Sequence, residues 1–165
     1  MALIEAAMAS QRWGEDGYVL VQEFRLRLPL SPPDAASIVR QADALVMART
    51  RATGFGLTRW DGSHLMLGRI RVLSLGPLEP QSLPGFSAAA QRAILGGLAA
   101  RRPGGSIWYR VCEPGDALVI VAGLSGFCPR LPRFAHWMIQ APLHRATIRR
   151  AIRDLAAGID ATSDS

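Results

Sequence analysis

The three histidines are the side chains of this 165-residue chain best suited to moving a proton at neutral pH. His144 stands within a run of apolar residues spaced three or four positions apart, so it faces the apolar side of the helix that this spacing predicts. We therefore take His144 as the candidate catalytic residue. The same position also suits an ordinary hydrogen-bonded histidine of the core. His136 is the second candidate, and His64, after a predicted turn, is expected to be exposed.

The two cysteines, Cys112 and Cys128, are the other chemically reactive side chains. A cysteine becomes a strong nucleophile when a neighbouring base or cation lowers its pKa, and no sequence feature identifies such a group. Neither has the close cysteine partner of a structural zinc site. The two cysteines could pair with each other, but in a chain expected to be cytosolic we expect two free thiols with structural roles. We expect no metal site and no cofactor.

The predicted terminal helix has one apolar side. Its residues are Phe134, Trp137, Ala141, His144, Ile148, Ile152, Leu155 and Ile159. Pro142 lacks a backbone donor and clashes with the preceding turn, which predicts a kink or two helical pieces meeting there. Trp60 and Trp108 are expected in the core or in a cavity wall. The predicted ligand-binding residues from these elements are Trp60, Trp108, Phe134, Trp137, Ala141, Ile148 and Ile152.

Two arginine pairs could bind an anion. Arg25 and Arg27 lie on one predicted strand, Arg69 and Arg71 on another, and alternate strand residues share a face. If the two strands were neighbours, four guanidinium groups could bind one carboxylate or phosphate. If they face solvent, they are simply the polar side of an antiparallel sheet.

Local patterns predict the order of the elements. Alternating apolar residues predict a strand at Tyr18–Leu28, and Ser31 with the following prolines predicts the start of a helix. Hairpins are expected around Asp61-Gly62 and around "EPGD" at 113–116. A second, mid-chain helix is predicted over Ser87–Arg102, ending at Pro103. The fold class is therefore α+β, an antiparallel sheet packed against a long C-terminal helix, with this additional mid-chain helix.

Length and composition fit one soluble domain over residues 1–165, with 1–16 and 160–165 peripheral. The longest apolar run, Ala117–Leu124, is too short to cross a bilayer, and no basic leader precedes the first apolar residues. A cytoplasmic protein is expected. All 19 basic residues are arginine, and the net charge of +6 permits acidic partners. Aromatic residues do not alternate with the helical arginines, which argues against nucleic acid as a partner. The sequence leaves a homodimer as an open alternative.

The order of elements resembles the helix-grip fold of the START-like polyketide cyclase/SRPBCC superfamily. The strand Tyr18–Leu28, the helix after Ser31, the strand Ala117–Leu124 and the terminal "HWMIQAPLHRATIRRAIRDL" carry the resemblance. It implies a curved sheet around the terminal helix, with a cavity between them for lipid-like or polyketide-like molecules. The likeness is one of topology and has no diagnostic motif.

Three functions follow as hypotheses. The first is binding of an apolar or amphipathic small molecule in that cavity. The second is a cyclase or isomerase that uses His144 as acid or base in the same cavity. The third is an interaction module that binds acidic surfaces or nucleic acid through arginines.

Overall fold

The computed structural model describes residues 5–27, 34–53, 58–114 and 117–163, and the side chains of 10–26, 34–50, 58–114 and 117–159. The strands are β1 (Glu5–Gly14), β2 (Gly17–Arg27), β3 (Thr58–Asp61), β4 (His64–Leu67), β5 (Ile70–Leu75), β6 (Glu79–Gln81), β7 (Ala88–Gly96), β8 (Ser106–Cys112) and β9 (Ala117–Phe127). The helices are α1 (Ala35–Thr53), α2 (Arg133–Ala135), a π-helix (His136–Gln140) and α3 (Ala141–Ser163).

The strands form one antiparallel sheet. Its order is β1-β2-β9-β8-β7-β5-β4-β3, and β6 pairs with the first half of β7 beside β5. The alternation that predicted β2 is confirmed, because Tyr18, Leu20, Phe24 and Leu26 are all buried. Both predicted hairpins, β3–β4 and β8–β9, are present. The antiparallel α+β class is therefore confirmed.

Both long helices pack on the same face of the sheet. The shared core includes Phe24 of β2, Ile38 of α1, Ile120 of β9 and Ile152 of α3. The prediction of a helix after Ser31 is confirmed by α1, but the helix begins at Ala35, with Asp34 as its capping residue: Asp34 Oδ1 accepts a hydrogen bond of 2.9 Å from the Ser37 N–H. Ser31 itself lies outside the described residues. No helix within the described ranges is both long and apolar enough to span a bilayer.

The helix predicted over Ser87–Arg102 is wrong, and the chain forms β7 there instead. Six residues of β7 pair with β8, so partners far along the chain outweigh the local helix propensity of the alanines. Gly96 and Gly97 have φ angles of +124° and +119°. A Cβ on Gly97 would come within 2.5 Å of the Val72 carbonyl oxygen, so a close backbone approach explains the second glycine.

The predicted break at Pro142 is confirmed, and it takes the form of the π-helix. The Ala141 N–H bonds to the carbonyl of His136, five residues back, instead of the usual four. Pro142 has no N–H to offer the carbonyl of Met138, so the extra residue is accommodated where the α-helical pattern is already interrupted. This local change decides which side chains of residues 136–140 face the sheet.

Candidate ligand-binding cavity

A cavity of about 240 Å³ lies between the sheet and the start of α3. Its walls are mostly aliphatic. The lining residues are Val46, Thr50, Thr58, Leu65, Val72, Leu73, Ile94, Ala99, Ile107, Gly123, Leu124, Phe127, Gln140, Leu143, His144, Thr147 and Ile148. The polar side chains among them are three threonines, one glutamine and one histidine, and none carries a formal charge. A ligand in this space would contact a mostly apolar surface with a few hydrogen-bonding groups.

His144 is the titratable group of the cavity wall. The imidazole is partly buried, and its Nδ1 has no hydrogen-bond partner among the described residues. Its ring lies 5.9 Å from the ring of Phe127, centroid to centroid. Burial, and to a lesser extent the nearby His136, lowers the pKa of His144 to about 4. At neutral pH the cavity therefore contains an uncharged imidazole with an unused ring nitrogen.

A second histidine lies behind the first. His136 has no exposed surface, and its ring centroid is 5.9 Å from that of His144. His136 Nδ1 donates a hydrogen bond of 2.7 Å to Gln140 Oε1, which fixes Gln140 at the cavity wall. Burial lowers the pKa of His136, although the bond to Gln140 acts in the opposite direction. Its Nε2 has no partner among the described groups.

An aromatic cluster holds His136 in place. The ring of Tyr18 lies 4.4 Å from His136 and that of Trp13 5.4 Å away, both edge-on. Arg133 lies over the outer side of Trp13, with its guanidinium carbon 5.1 Å from the ring centroid. The π-helix is therefore fixed to the β1–β2 hairpin through His136, and this contact in turn fixes the start of α3 above the cavity.

Two of the residues predicted on the apolar side of the helix line the cavity, namely His144 and Ile148. Ala141 and Ile152 are fully buried beside them but do not line it. Phe134 and Trp137 face outward, with 71% and 57% of their surface exposed. The structure thus brings together only the α3 part of the predicted set.

The other two predicted tryptophans also lie away from the cavity lining. Trp60 packs against the core and donates a hydrogen bond of 2.8 Å from Nε1 to the Met47 carbonyl. Trp108 lies on the outer face of the sheet beside Gly123, under the guanidinium of Arg110 at 4.5 Å from the ring centroid. Both tryptophans have structural partners of their own.

The two arginine pairs do not meet. Strands β9, β8 and β7 separate β2, which holds Arg25, from β5, which holds Arg71. Arg25 is exposed and bonds to Glu23 at 3.2 Å, and Arg69 lies in the exposed β4–β5 turn. The side chain of Arg27 lies outside the described residues. A shared anion-binding patch would require β2 and β5 to be neighbours, and they are not. Arg25, Arg69 and Arg71 therefore fit the alternative in which the arginines face solvent.

Sequence reasoning missed most of the cavity wall. Val72, Ala99 and Ile107 come from three separate parts of the chain, and only the sheet pairing brings them together. Gln140 was also missed, although its position four residues before His144 was a usable signal. Cys112 and Cys128 are free thiols, and no group of three or more His, Cys, Asp or Glu side chains within the described ranges is placed to hold a metal ion.

Comparisons with known proteins give only distant similarity. No family model matches the chain, and no curated protein matches it. Two solved structures of CalU16 from Micromonospora echinospora are similar in structure. The solution NMR structure has 11% identity and a TM-score of 0.35, over 92% of this chain and 75% of that one. The crystal structure has 13% identity and a TM-score of 0.33, over 99% of each. Similarity at this level assigns neither a family nor a function.

Proposed function

We propose that this protein binds a small apolar or amphipathic molecule in the cavity between its sheet and α3. The observation that carries the proposal is the pairing of an uncharged, mostly aliphatic cavity with the unpartnered Nδ1 of His144. A buried polar atom without a partner costs about 1–3 kcal/mol. The Nδ1 atom is closed off from solvent, so a ligand in the cavity would recover that cost once the imidazole turns this nitrogen toward a hydrogen-bonding group of the ligand.

The size of the cavity limits the ligand. A well-characterised apolar cavity of about 150 Å³ binds benzene. The present cavity of about 240 Å³ therefore suits a molecule somewhat larger than one ring, such as a bicyclic aromatic compound or a medium-length alkyl chain. A lipid-like or polyketide-like ligand of this size is consistent with the proposal.

The absence of charge on the cavity wall determines which polar group a ligand can carry. An ionised carboxylate taken into an uncharged wall loses its hydration without gaining a counter-ion, which costs several kcal/mol. His144 supplies no counter-charge at neutral pH because its pKa is about 4. A hydroxyl group pays a much smaller cost and can bond to the imidazole. Phenols and alcohols are therefore favoured over carboxylates of the same shape.

Calorimetric titration with 2-naphthol and 2-naphthoate tests this proposal. We expect 2-naphthol to bind more tightly than 2-naphthoate at pH 7. Val72→Phe, which fills the cavity from β5, should abolish binding. Val121→Phe makes the same change on the outer, half-buried face of β9 and should leave binding intact. Absence of binding, or equal loss in both variants, would contradict the cavity as the site.

A second candidate is proton-transfer catalysis of the cyclase or isomerase type in the same cavity. The observation that favours it is the edge-on pair of neighbouring histidines, with the partly buried His144 on the cavity wall and the buried His136 behind it, 5.9 Å between ring centroids. A neutral imidazole can accept a proton from a carbon acid held against it, and the second ring can stabilise its orientation.

Deuterium exchange at the carbon next to the carbonyl of 2-tetralone, followed by NMR in heavy water, tests this candidate. The ketone has the bicyclic size that the cavity suits. If His144 is a general base, the protein should accelerate exchange, and His144→Gln should remove the acceleration while 2-tetralone still binds. Exchange at the buffer rate would exclude this role for the ketone probe.

A further inference from the structure

The exposed apolar side chains are concentrated at one end of the molecule. This end, here called the mouth end, contains the β1–β2 turn, the β4–β5 turn, the 97–105 connection and the segment from 128 into the π-helix. The ten large hydrophobic side chains found exposed in the described part of the chain lie in or next to these segments: Leu67, Ile70, Leu95, Leu98, Leu131, Phe134, Trp137, Met138, Ile139 and Leu143.

Backbone hydrogen bonds join these segments into one surface. Leu98 N–H bonds to the Arg71 carbonyl at 2.9 Å, and Arg130 N–H bonds to the Ala99 carbonyl at 3.0 Å. The 97–105 connection therefore links the β4–β5 turn on one side to the segment before the π-helix on the other. Exposed apolar side chains concentrated on adjacent segments in this way are uncommon on a protein that contacts only water.

Charge is also divided between the two ends. The connections at the mouth end carry six exposed arginines, Arg69, Arg71, Arg101, Arg102, Arg130 and Arg133, against Glu15 and Asp16. The opposite end carries Asp34, Asp61, Glu79 and Glu113, together with the exposed Arg25 and Arg40. The mouth end is therefore both the most apolar and a strongly basic part of the described surface.

The terminal helical segment shows the same change along its length. Outward positions near the mouth end hold Phe134, Trp137 and Met138, whereas outward positions further along α3 hold Arg149 and Arg150. Aromatic and aliphatic side chains rimmed by arginines are typical of protein surfaces that enter the headgroup region of anionic lipid bilayers.

We propose that the mouth end docks on an anionic membrane surface. Arginines would contact lipid phosphates while Phe134, Trp137 and neighbouring side chains enter the acyl boundary. A second copy of the chain fits less well, because two mouth ends brought face to face would oppose like charges. An acidic protein would need a matching groove, whereas these apolar residues are spread over turns and one helix, a shape that a deformable lipid interface accepts.

Part of the cavity wall lies at the same end. Thr58, Val72, Ala99 and Leu143 line the cavity and lie at the mouth end, and Leu143 is also exposed. Docking would place this part of the cavity wall beside the acyl chains, giving an apolar ligand a route that avoids water. The docking face stands on exposed residues and does not depend on ligand binding.

Co-sedimentation with vesicles tests the proposal. Vesicles of equimolar phosphatidylglycerol and phosphatidylcholine should bind the full chain, raised salt should weaken that binding, and vesicles of phosphatidylcholine alone should bind much less. Trp137 is the most exposed tryptophan, so its emission should shift to the blue on binding, and Trp137→Phe should remove most of that shift. Equal binding to both vesicle types, or binding to neither, would overturn the proposal.

Matched variants localise the surface. Arg101→Gln/Arg130→Gln should weaken partitioning about 30-fold, from a factor of about five for each arginine at an anionic surface. Arg150→Gln/Arg153→Gln removes the same charge from the distant part of α3 and should change little. Phe134→Ser/Trp137→Ser should weaken partitioning at least about tenfold through lost apolar burial. An equal effect of both arginine pairs would contradict a localised docking face.

Two further measurements separate the alternatives. Val72→Phe should abolish binding of 2-naphthol but leave vesicle binding unchanged, because the cavity and the docking face are separate sites. Loss of both activities in this variant would contradict that separation. Sedimentation velocity tests the alternative that the mouth end binds a second copy of the chain. A dimer that Trp137→Ser dissociates, together with no vesicle binding, would assign the mouth end to self-association and overturn the membrane proposal. Thermal melts confirm that each variant is folded.

Discussion

At the scale of single residues, the central feature is the uncharged imidazole of His144 in an aliphatic wall. Its Nδ1 has no partner among the described groups, while its neighbour His136 is committed to Gln140. The two histidines therefore divide their roles. His136 positions the π-helix against Trp13 and Tyr18, and His144 is left to meet whatever enters the cavity.

His144→Leu should weaken binding of 2-naphthol without weakening binding of naphthalene. The hydroxyl loses its partner at a cost of about 1 kcal/mol, or about fivefold in Kd, while the ring still fills the same space. Calorimetric titration of both compounds against both proteins measures the difference. Equal weakening of both compounds would mean that the variant had only deformed the cavity.

Stability should fall in mild acid because of His144. Its folded pKa is about 4 and its unfolded pKa near 6.5, so between these values the unfolded chain binds more protons. This contribution is fully present above about pH 6.5 and is lost as the pH falls toward 4. It amounts to about 3 kcal/mol at most, because the imidazole is partly exposed.

Urea unfolding across this pH range, compared with His144→Gln, isolates the effect from the carboxylates. The free energy of unfolding of the variant should depend less steeply on pH between 6.5 and 4. Parallel curves for the two proteins would show that the imidazole of His144 protonates as freely in the folded state as in the unfolded one.

At the scale of elements, α1 is held by ion pairs in two different environments. Asp43 is buried, and Oδ2 of Asp43 lies 2.8 Å from Nη2 of Arg92 on β7, which also donates to the Gly76 carbonyl. Arg49 meets Asp154 of α3 at 2.6 Å, with both side chains partly exposed. The first pair joins helix to sheet and the second joins helix to helix.

Asp43→Asn should destabilise the fold far more than Asp154→Asn. The first change leaves the half-buried guanidinium of Arg92 without its buried counter-charge, at about 3 kcal/mol, whereas the second removes a partly exposed pair of about 1 kcal/mol or less. The midpoint of urea unfolding for each variant decides the comparison. Similar losses for the two would mean that water reaches Asp43 in the folded protein.

The π-helix explains why Phe134 and Trp137 were predicted to face inward. Stepping back from His144 by four or three residues assumes α-helical geometry and places Trp137 on the apolar side. The five-residue step between Ala141 and His136 adds one residue to the turn, so His136 faces the sheet in its place. Pro142 signalled an interruption, but not its form.

At the scale of the whole molecule, local patterns predicted much of the fold. The alternation in β2, the two hairpins β3–β4 and β8–β9 and the long apolar side of α3 follow from patterns of neighbouring residues, and all are confirmed. Strand β7 and the cavity wall depend on pairing between distant segments. Helix propensity in the alanines of β7 pointed the other way, and nothing local to Val72 or Ala99 indicated a shared cavity.

The overall arrangement joins the two proposals. The cavity lies under the start of α3, and the exposed apolar and basic residues surround the same end of the sheet. A molecule built in this way could take an apolar ligand from a membrane surface without exposing it to water. The cavity is the more basic claim, because transfer of a ligand from the membrane requires it, whereas docking does not.

The most direct measurement of that claim is the nitrogen-15 NMR spectrum of the histidine rings during titration with 2-naphthol. We predict that the Nδ1 resonance of His144 shifts as the phenol bonds to it, while His64, which already meets Ser74 at 3.1 Å outside the cavity, stays unchanged. In Val72→Phe the shift should disappear. A His144 resonance that does not respond in the unaltered protein, or that shifts equally in Val72→Phe, would contradict a ligand site against this imidazole.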